Sequence, residues 1–221
     1  MCAMPQNFAR ATSTVLLAVS VVFASVGNAR ADNPDLVIRV YDTTDGASDI
    51  RSAAIRTAAS IVAEAGISVE WRDCTSISAE ARCQKSRHTR DLIVRLMPAV
   101  APGTVFRGSS LQLRTAPGEM NLQLGVAVIN PVTLSGEMAT IFHEQVRTVA
   151  RRSGIDDAEL LGRALAHEIG HLLLGVRAHS RTGLMRGVWS IEELTLNRHE
   201  DWVFAPADRE RLNATVAAVA P

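Results

Sequence analysis

The sequence predicts a single α+β domain over residues 32–221, and two observations support this prediction. Strand-like and helix-like segments follow one another without an internal repeat, a linker or a low-complexity tract. Apolar residues make up 47% of the 221 residues, which is enough for one packed core of ordinary size. The formal net charge is zero, so the chain lacks the basic excess of a typical nucleic-acid-binding protein and we expect no nucleic-acid partner.

The first 31 residues have the pattern of a secretory signal peptide. Arg10 supplies a positive charge, residues 15–26 (VLLAVSVVFASV) are apolar, and Ala29-Arg30-Ala31 matches an A-x-A cleavage site. The alternative is an uncleaved membrane anchor, but the apolar run is shorter than the ~20 residues that a spanning helix needs. We expect cleavage after Ala31, export to a periplasm or to the medium, and no stable membrane insertion afterwards.

The N-terminal part of the domain predicts two strands around one helix. Residues 36–41 (LVIRVY) are rich in aliphatic and β-branched side chains, which favours a strand. Residues 47–65 carry apolar side chains at helical spacing, and Gly66 follows as a stop signal. Residues 67–71 predict the second strand.

Two cysteines remain after the predicted signal peptide, and both lie in the polar, loop-like stretch 73–90. In an oxidising compartment we expect Cys74 and Cys83 to form a disulfide, with two free thiols as the alternative. A pair of cysteines alone does not complete a zinc site.

Three further strands are predicted before the C-terminal helices. Residues 91–97 and 122–129 are β-rich runs, and a short strand at 139–142 leads into a helix over about 143–152. Residues 98–120 are rich in Gly and Pro and carry no prediction.

The next helix has signals at both of its ends. Asp156 can accept hydrogen bonds from the free amides of the first turn, and Glu159 can reach back to it as in a capping box. Gly175 is a C-terminal stop, which predicts a helix over 157–174. Pro206 is well placed as the first residue of a final helix.

The 157–174 helix contains the run His167-Glu168-Ile169-Gly170-His171. Residues four apart lie on one helix face, so the two imidazoles can bind one zinc ion. Glu168 stands beside them, which suits a general base acting on a water at the metal. The rest of the helix is apolar and therefore buried, and buried imidazoles and carboxylates cost free energy unless they are paired or bind a metal.

A catalytic zinc usually has a third protein ligand and one open position. His179 is the nearest candidate because the chain turns at Gly175 and can bring it back to the helix. Glu192 and Glu193 are the alternatives, as carboxylate ligands from a following helix. Gly170, inside a buried helix, indicates the close approach of another backbone.

The stretch from His167 to Ser180, followed by Gly183-Leu184-Met185, resembles the metzincin zinc peptidases, and most of all their matrixin-type branch. The spacing HExxHxxxGxxxH is one residue longer on each side of the glycine than the metzincin pattern. The resemblance implies Glu168 as the catalytic base, Met185 as the methionine of a tight turn beneath the metal, and Zn²⁺ as the cofactor. It also implies the zinc ligands, which are His167, His171 and His179.

The same resemblance implies a zincin-like mixed β-sheet with an active-site helix and a small C-terminal subdomain ending in a helix. It makes the strand at 122–129 the edge strand along which an extended substrate pairs. We therefore expect a secreted zinc-dependent endopeptidase, a hydrolase whose partner is a peptide or protein substrate. The alternatives are a non-catalytic zinc-binding exported module and a structural domain in which the motif is accidental.

Overall fold

The computed structural model describes residues 36–75, 80–83, 91–100, 104, 108–114, 122–130 and 132–218. All of them belong to one unit, Asn33–Pro221. The predicted signal peptide at 1–31 lies outside the described residues. Within these ranges, no helix combines the length and the apolar character needed to cross a bilayer.

The described strands form one mixed sheet with the order β2-β1-β3-β6-β5-β4-β7. The strands are β1 (Leu36–Asp42), β2 (Val69–Asp73), β3 (Asp91–Met97), β4 (Ser109–Arg114), β5 (Leu122–Asn130), β6 (Ser135–Phe142) and β7 (Val188–Ser190). Strands β2, β1, β3 and β6 run parallel to one another, β5 is antiparallel to both β6 and β4, and β7 is parallel to β4.

The helices are α1 (Ser48–Glu64), α2 (Glu80–Cys83), α3 (His143–Ser153), α4 (Asp157–Leu174), α5 (Ile191–Leu196) and α6 (Pro206–Ala218), with a 3₁₀ turn at His199–Asp201. Helix α4 is buried over almost its whole length and contacts α1, β5 and β6. Gly162 permits the contact with α1, because a Cβ there would lie 2.5 Å from the Thr57 Cβ. Asn213 of α6 donates from Nδ2 to the Ala65 carbonyl, 2.7 Å away, and so docks the last helix on the end of α1.

The predicted α+β class with a mixed sheet is confirmed. The helix at 47–65, the strand at 91–97, the helix at 157–174 and the start at Pro206 agree closely with α1, β3, α4 and α6. The predicted disulfide between Cys74 and Cys83 is also confirmed.

Two strand boundaries differ from the prediction for a local reason. Strand β2 begins at Val69 rather than at 67, because Gly66 turns with φ +88° and the Ile67 amide still donates to the Val62 carbonyl of α1. Strand β6 begins at Ser135 rather than at 139, because β5 continues to pair with it as far as Asn130 opposite Ser135.

The expectation that the strand at 122–129 is an edge strand is wrong. Strand β5 pairs with β6 on one side and with β4 on the other, so its backbone is occupied on both edges. Strand β4 lies in the 98–120 stretch that carried no prediction. Its burial alternates, with Leu111 and Leu113 inside and Gln112 partly exposed, which is the period-2 signal that could have revealed it.

Candidate metal centre

Both ends of α4 are fixed by the signals seen in the sequence. Asp156 Oδ1 accepts hydrogen bonds from the amides of Ala158 and Glu159, at 2.9 and 3.0 Å. The reciprocal bond expected from the Glu159 side chain is replaced by an ion pair with Arg163, one turn further along the helix. At the other end Gly175 adopts φ +63°, and its amide donates to the His171 carbonyl at 3.0 Å. The chain therefore turns directly after the second histidine of the motif.

The three predicted histidine ligands lie together. One nitrogen from each of His167, His171 and His179 falls within a group no wider than 4.8 Å, and His167 Nε2 is 3.1 Å from His171 Nε2. His167 and His171 are fully buried, whereas His179 is exposed. The group is thus closed by the helix on one side and open to solvent on the side of His179.

Backbone carbonyls orient the two buried imidazoles. His167 Nδ1 donates to the Leu184 carbonyl at 2.8 Å, and His171 Nδ1 donates to the Val176 carbonyl at 2.9 Å. A carbonyl only accepts, so each neutral ring carries its hydrogen on Nδ1 and has a lone pair on Nε2. The two lone pairs then face each other across 3.1 Å, an arrangement that a cation between them would stabilise.

The protonation of the three rings also favours metal binding. Burial lowers the pKa of His167 well below its usual range, and the neighbouring His171 imidazole lowers it further. Burial, together with the nearby His179, lowers the pKa of His171 to about 4. Burial likewise lowers the pKa of His179. Neutral imidazole is the form that binds metal, so no proton has to be displaced at neutral pH.

Glu168 is fully buried, and neither of its carboxylate oxygens has a hydrogen-bond partner among the described residues. Burial raises its pKa well above the usual range, although the nearby Leu111 backbone amide partly opposes that shift. A buried carboxylate without a partner costs free energy, and a metal with its water would offset that cost. A metal held by the predicted zinc ligands would therefore also stabilise the carboxylate of the predicted general base.

Met185, which the resemblance places beneath the metal, packs against Gly170 of α4. Its side chain is fully buried, and a Cβ at Gly170 would lie 2.5 Å from Met185 Sδ and 2.7 Å from Phe204 Cε1. The close approach expected at Gly170 is therefore real, but side chains make it rather than another backbone. The Ser180 amide donates to the Met185 carbonyl at 2.9 Å and closes the turn that presents Leu184 to His167.

The rival third ligands stand elsewhere. Glu193 forms a capping box with Ser190 at the start of α5, which occupies its carboxylate. The group of candidate ligand atoms in the described part of the chain includes neither Glu192 nor Glu193. His179 is given its place by Gly187, where a Cβ would lie 2.6 Å from His179 Nδ1. Three imidazole nitrogens are a donor set that suits Zn²⁺, the predicted cofactor.

Sequence reasoning missed one polar residue of this site. Ser109, the first residue of β4, is 2% exposed and places its Oγ 2.7 Å from His171 Nε2 and 3.3 Å from His179 Nε2. A lone serine has no characteristic spacing to a motif some 60 residues later. Only the alternation Ser109, Leu111, Leu113 along β4 could have shown that it points inward with the buried leucines.

No protein-family model matches this chain, and no curated protein matches it. It is similar to the solved structure of a zinc-dependent peptidase from Methanocorpusculum labreanum (strain Z), with 14% identity and a TM-score of 0.48, covering 80% of this chain and 100% of that one. It is also similar to the archaemetzincin of Methanopyrus kandleri, with 15% identity and a TM-score of 0.44, covering 82% of this chain and 96% of that one.

Proposed function

We propose that this chain is a zinc-dependent endopeptidase in which His167, His171 and His179 hold the metal and Glu168 is the general base. One observation carries the proposal: a fully buried carboxylate with no side-chain hydrogen-bond partner among the described residues follows His167 directly in α4, and the Nε2 lone pairs of His167 and His171 converge. That combination is costly in a purely structural core. It is what hydrolysis with a metal-activated water requires.

The residues of the chain divide the chemistry between them. When bound, zinc supplies Lewis-acid chemistry to a water and to the carbonyl of a peptide bond. Glu168 accepts a proton from the attacking water and returns that proton to the leaving amine. The carbonyls of Leu184 and Val176 keep the imidazoles of His167 and His171 in one orientation throughout.

Strand β4 replaces β5 as the proposed substrate-pairing strand. Strand β7 pairs with β4 only at Gln112–Arg114, whereas Ser109–Leu111 have β5 as their described strand partner. That segment begins beside His171 and His179. An extended peptide added along it would bring its backbone to the metal site.

The finer expectations from the sequence belong to the same proposal. Export after cleavage at Ala31 is supported by the signal-peptide pattern and by a disulfide, which is typical of oxidising compartments. The metzincin-type arrangement belongs to the proposal too, with Met185, packed against Gly170, as the methionine beneath the metal. The substrate is proposed to be a peptide or protein, with no nucleic-acid partner and no stable membrane insertion.

The test compares the exported wild-type chain with Glu168→Ala on a mixed peptide library, with zinc content measured in both. We expect cleavage by the wild type, at least a hundredfold less by Glu168→Ala, and one zinc ion in each. Glu210→Ala, which removes an exposed carboxylate from α6, is the matched control and should cleave normally. Equal cleavage by Glu168→Ala would refute the assigned base, and zinc without cleavage in any sample would favour the non-catalytic zinc module.

A further inference from the structure

Ser109 has more acceptors around it than its hydroxyl can serve. Its Oγ lies 2.7 Å from His171 Nε2, 3.3 Å from His179 Nε2 and 3.3 Å from the Arg177 carbonyl oxygen. A serine hydroxyl has one hydrogen to donate and two lone pairs. His171 Nε2 is an acceptor, since Nδ1 of that ring carries the hydrogen that binds Val176. One hydrogen cannot satisfy both that nitrogen and the Arg177 carbonyl.

A cation removes this conflict. If the hydroxyl donates to Arg177, a lone pair of Ser109 Oγ and the lone pair of His171 Nε2 both face the same point. Two ligands of a tetrahedral zinc with bonds of ~2.0–2.1 Å lie about 3.3 Å apart. The separations of 3.1 Å between the His167 and His171 nitrogens and of 3.3 Å between Ser109 Oγ and His179 Nε2 are close to that value. The 2.7 Å between Ser109 Oγ and His171 Nε2 is shorter and has the length of a hydrogen bond.

We propose that Ser109 Oγ is a fourth protein ligand of the metal, a neutral oxygen contributed by β4 beside the three imidazoles. This inference rests on the proposed function, because it takes the histidine group to be a metal site. Ser109 is 2% exposed, so its hydroxyl has little access to bulk water in place of this partner. Its position also follows from β4, which holds Leu111 near Glu168 and Ser109 near His171 on the same buried side.

A fourth protein ligand changes how the site would work. Catalytic zinc sites keep one position open, or expand to five ligands during the reaction. With Ser109 bound, the resting site has four protein ligands. An incoming peptide must then displace a weak neutral oxygen or raise the coordination number. Ser109 is the first residue of the strand proposed to pair with substrate. Binding of a peptide to that strand would therefore also free a coordination position at the metal.

The first test replaces Ser109 by a residue whose binding can be seen directly. The full chain is exported, purified, stripped of metal and loaded with Co²⁺ as Ser109→Cys and as Ser110→Cys. We expect a thiolate-to-cobalt charge-transfer band in Ser109→Cys alone, because a sulfur at position 109 would lie in the coordination sphere. Ser110 is the matched control, since it is the next residue of β4 and points to the other face.

The second test removes the oxygen. Ser109→Ala should weaken Zn²⁺ binding about tenfold in competition with a chelator and change the visible absorption of the Co²⁺ form, whereas Ser110→Ala should do neither. Cobalt binding by the wild type with no band in Ser109→Cys and an unchanged spectrum in Ser109→Ala would overturn the fourth ligand and leave the proposed function standing. Absence of metal binding by the wild type itself would overturn both.

Discussion

Gly125 of β5 makes room for the carboxylate of Glu168. A Cβ at position 125 would lie 2.8 Å from Glu168 Oε1 and 2.9 Å from Ile141 Cδ1. The sheet therefore holds a space that fits this one side chain of α4, and the space depends on a missing methyl group.

The substitution Gly125→Ala is expected to reduce peptide cleavage at least tenfold while zinc content stays at the wild-type level. The three atoms nearest to the added methyl belong to Glu168 and Ile141, so it displaces the carboxylate first. Overpacking of this kind costs about 1–3 kcal/mol of stability. The cleavage rate, the zinc content and the urea unfolding of the same preparation measure the expected changes in activity, metal binding and stability.

Gly162→Ala separates activity from stability in that experiment. It overpacks the contact between α4 and Thr57 of α1, away from Glu168. We expect a comparable loss of stability with normal cleavage. If Gly162→Ala loses as much activity as Gly125→Ala, general destabilisation explains both and the specific role of Gly125 is refuted.

Gly175 ends the metal-binding helix, and its replacement should loosen the metal. It has φ +63°, and a Cβ there would lie 1.9 Å from the Leu134 carbonyl oxygen in the turn between β5 and β6. Gly175→Ala must therefore shift the loop that carries Val176 and His179. We expect a loss of more than 1 kcal/mol of stability and at least tenfold weaker zinc binding, measured by denaturation and chelator competition.

Gly154 offers a control matched in backbone conformation. It ends α3 with φ +71°, and a Cβ there would meet nothing within 4 Å. Gly154→Ala should cost only the strain of a left-handed alanine, about 1 kcal/mol, and leave zinc binding unchanged. Equal zinc loss in both variants would contradict the role assigned to the Leu134 contact.

The metal-free protein should lose stability in acid because burial lowers the pKa of His167, His171 and His179, and His171 accounts for one part of that loss. The pKa of His171 is about 4 in the folded chain against about 6.5 in an unfolded one, so the unfolded chain binds the proton first. The contribution of His171 to the free energy of unfolding is complete above pH 6.5. It decreases by up to about 3 kcal/mol as the pH falls towards 4. Urea unfolding of the chelated protein across this pH range measures the slope.

Two variants make that measurement specific. His171→Gln should reduce the slope between pH 6.5 and 4 without abolishing it, because one titrating ring is gone while His167 and His179, whose pKa values are also lowered, still contribute. His199→Gln, which removes an exposed histidine paired with Glu64, should keep it. An unchanged slope in His171→Gln would show that other groups cause the acid sensitivity.

The sequence was most informative where local signals and the buried pattern agreed. Helix α4 was predicted almost to the residue, because Asp156 fixes its start and Gly175 can adopt the left-handed conformation that ends it. The histidine pair follows from helix geometry alone. His179 could be proposed because the turn at Gly175 gives the chain a short path back to the helix.

The wrong or missing predictions concern strands, whose pairing joins residues that are far apart in the sequence. Strand β4 has six residues within a stretch rich in Gly and Pro, so turn signals obscured its alternation. The edge position of the strand at 122–129 came from the family resemblance, and pairing with β4 shows that it is wrong. Without β4, Ser109 could not be connected to the metal site. A residue that is brought to a site only by strand pairing has no characteristic sequence distance from the motif, so the sequence alone does not reveal it.

The orientation of His167 and His171 depends on main-chain oxygens at positions 184 and 176. Every amino acid carries such an oxygen, so the course of the chain encodes this part of the site and the identity of the orienting residues does not. Drift in sequence could therefore replace the residues that supply these acceptors without removing the acceptors themselves. In a distant homologue we expect glycine to remain where the backbone has to turn or lies close to a neighbouring group, as at Gly175, Gly183 and Gly187.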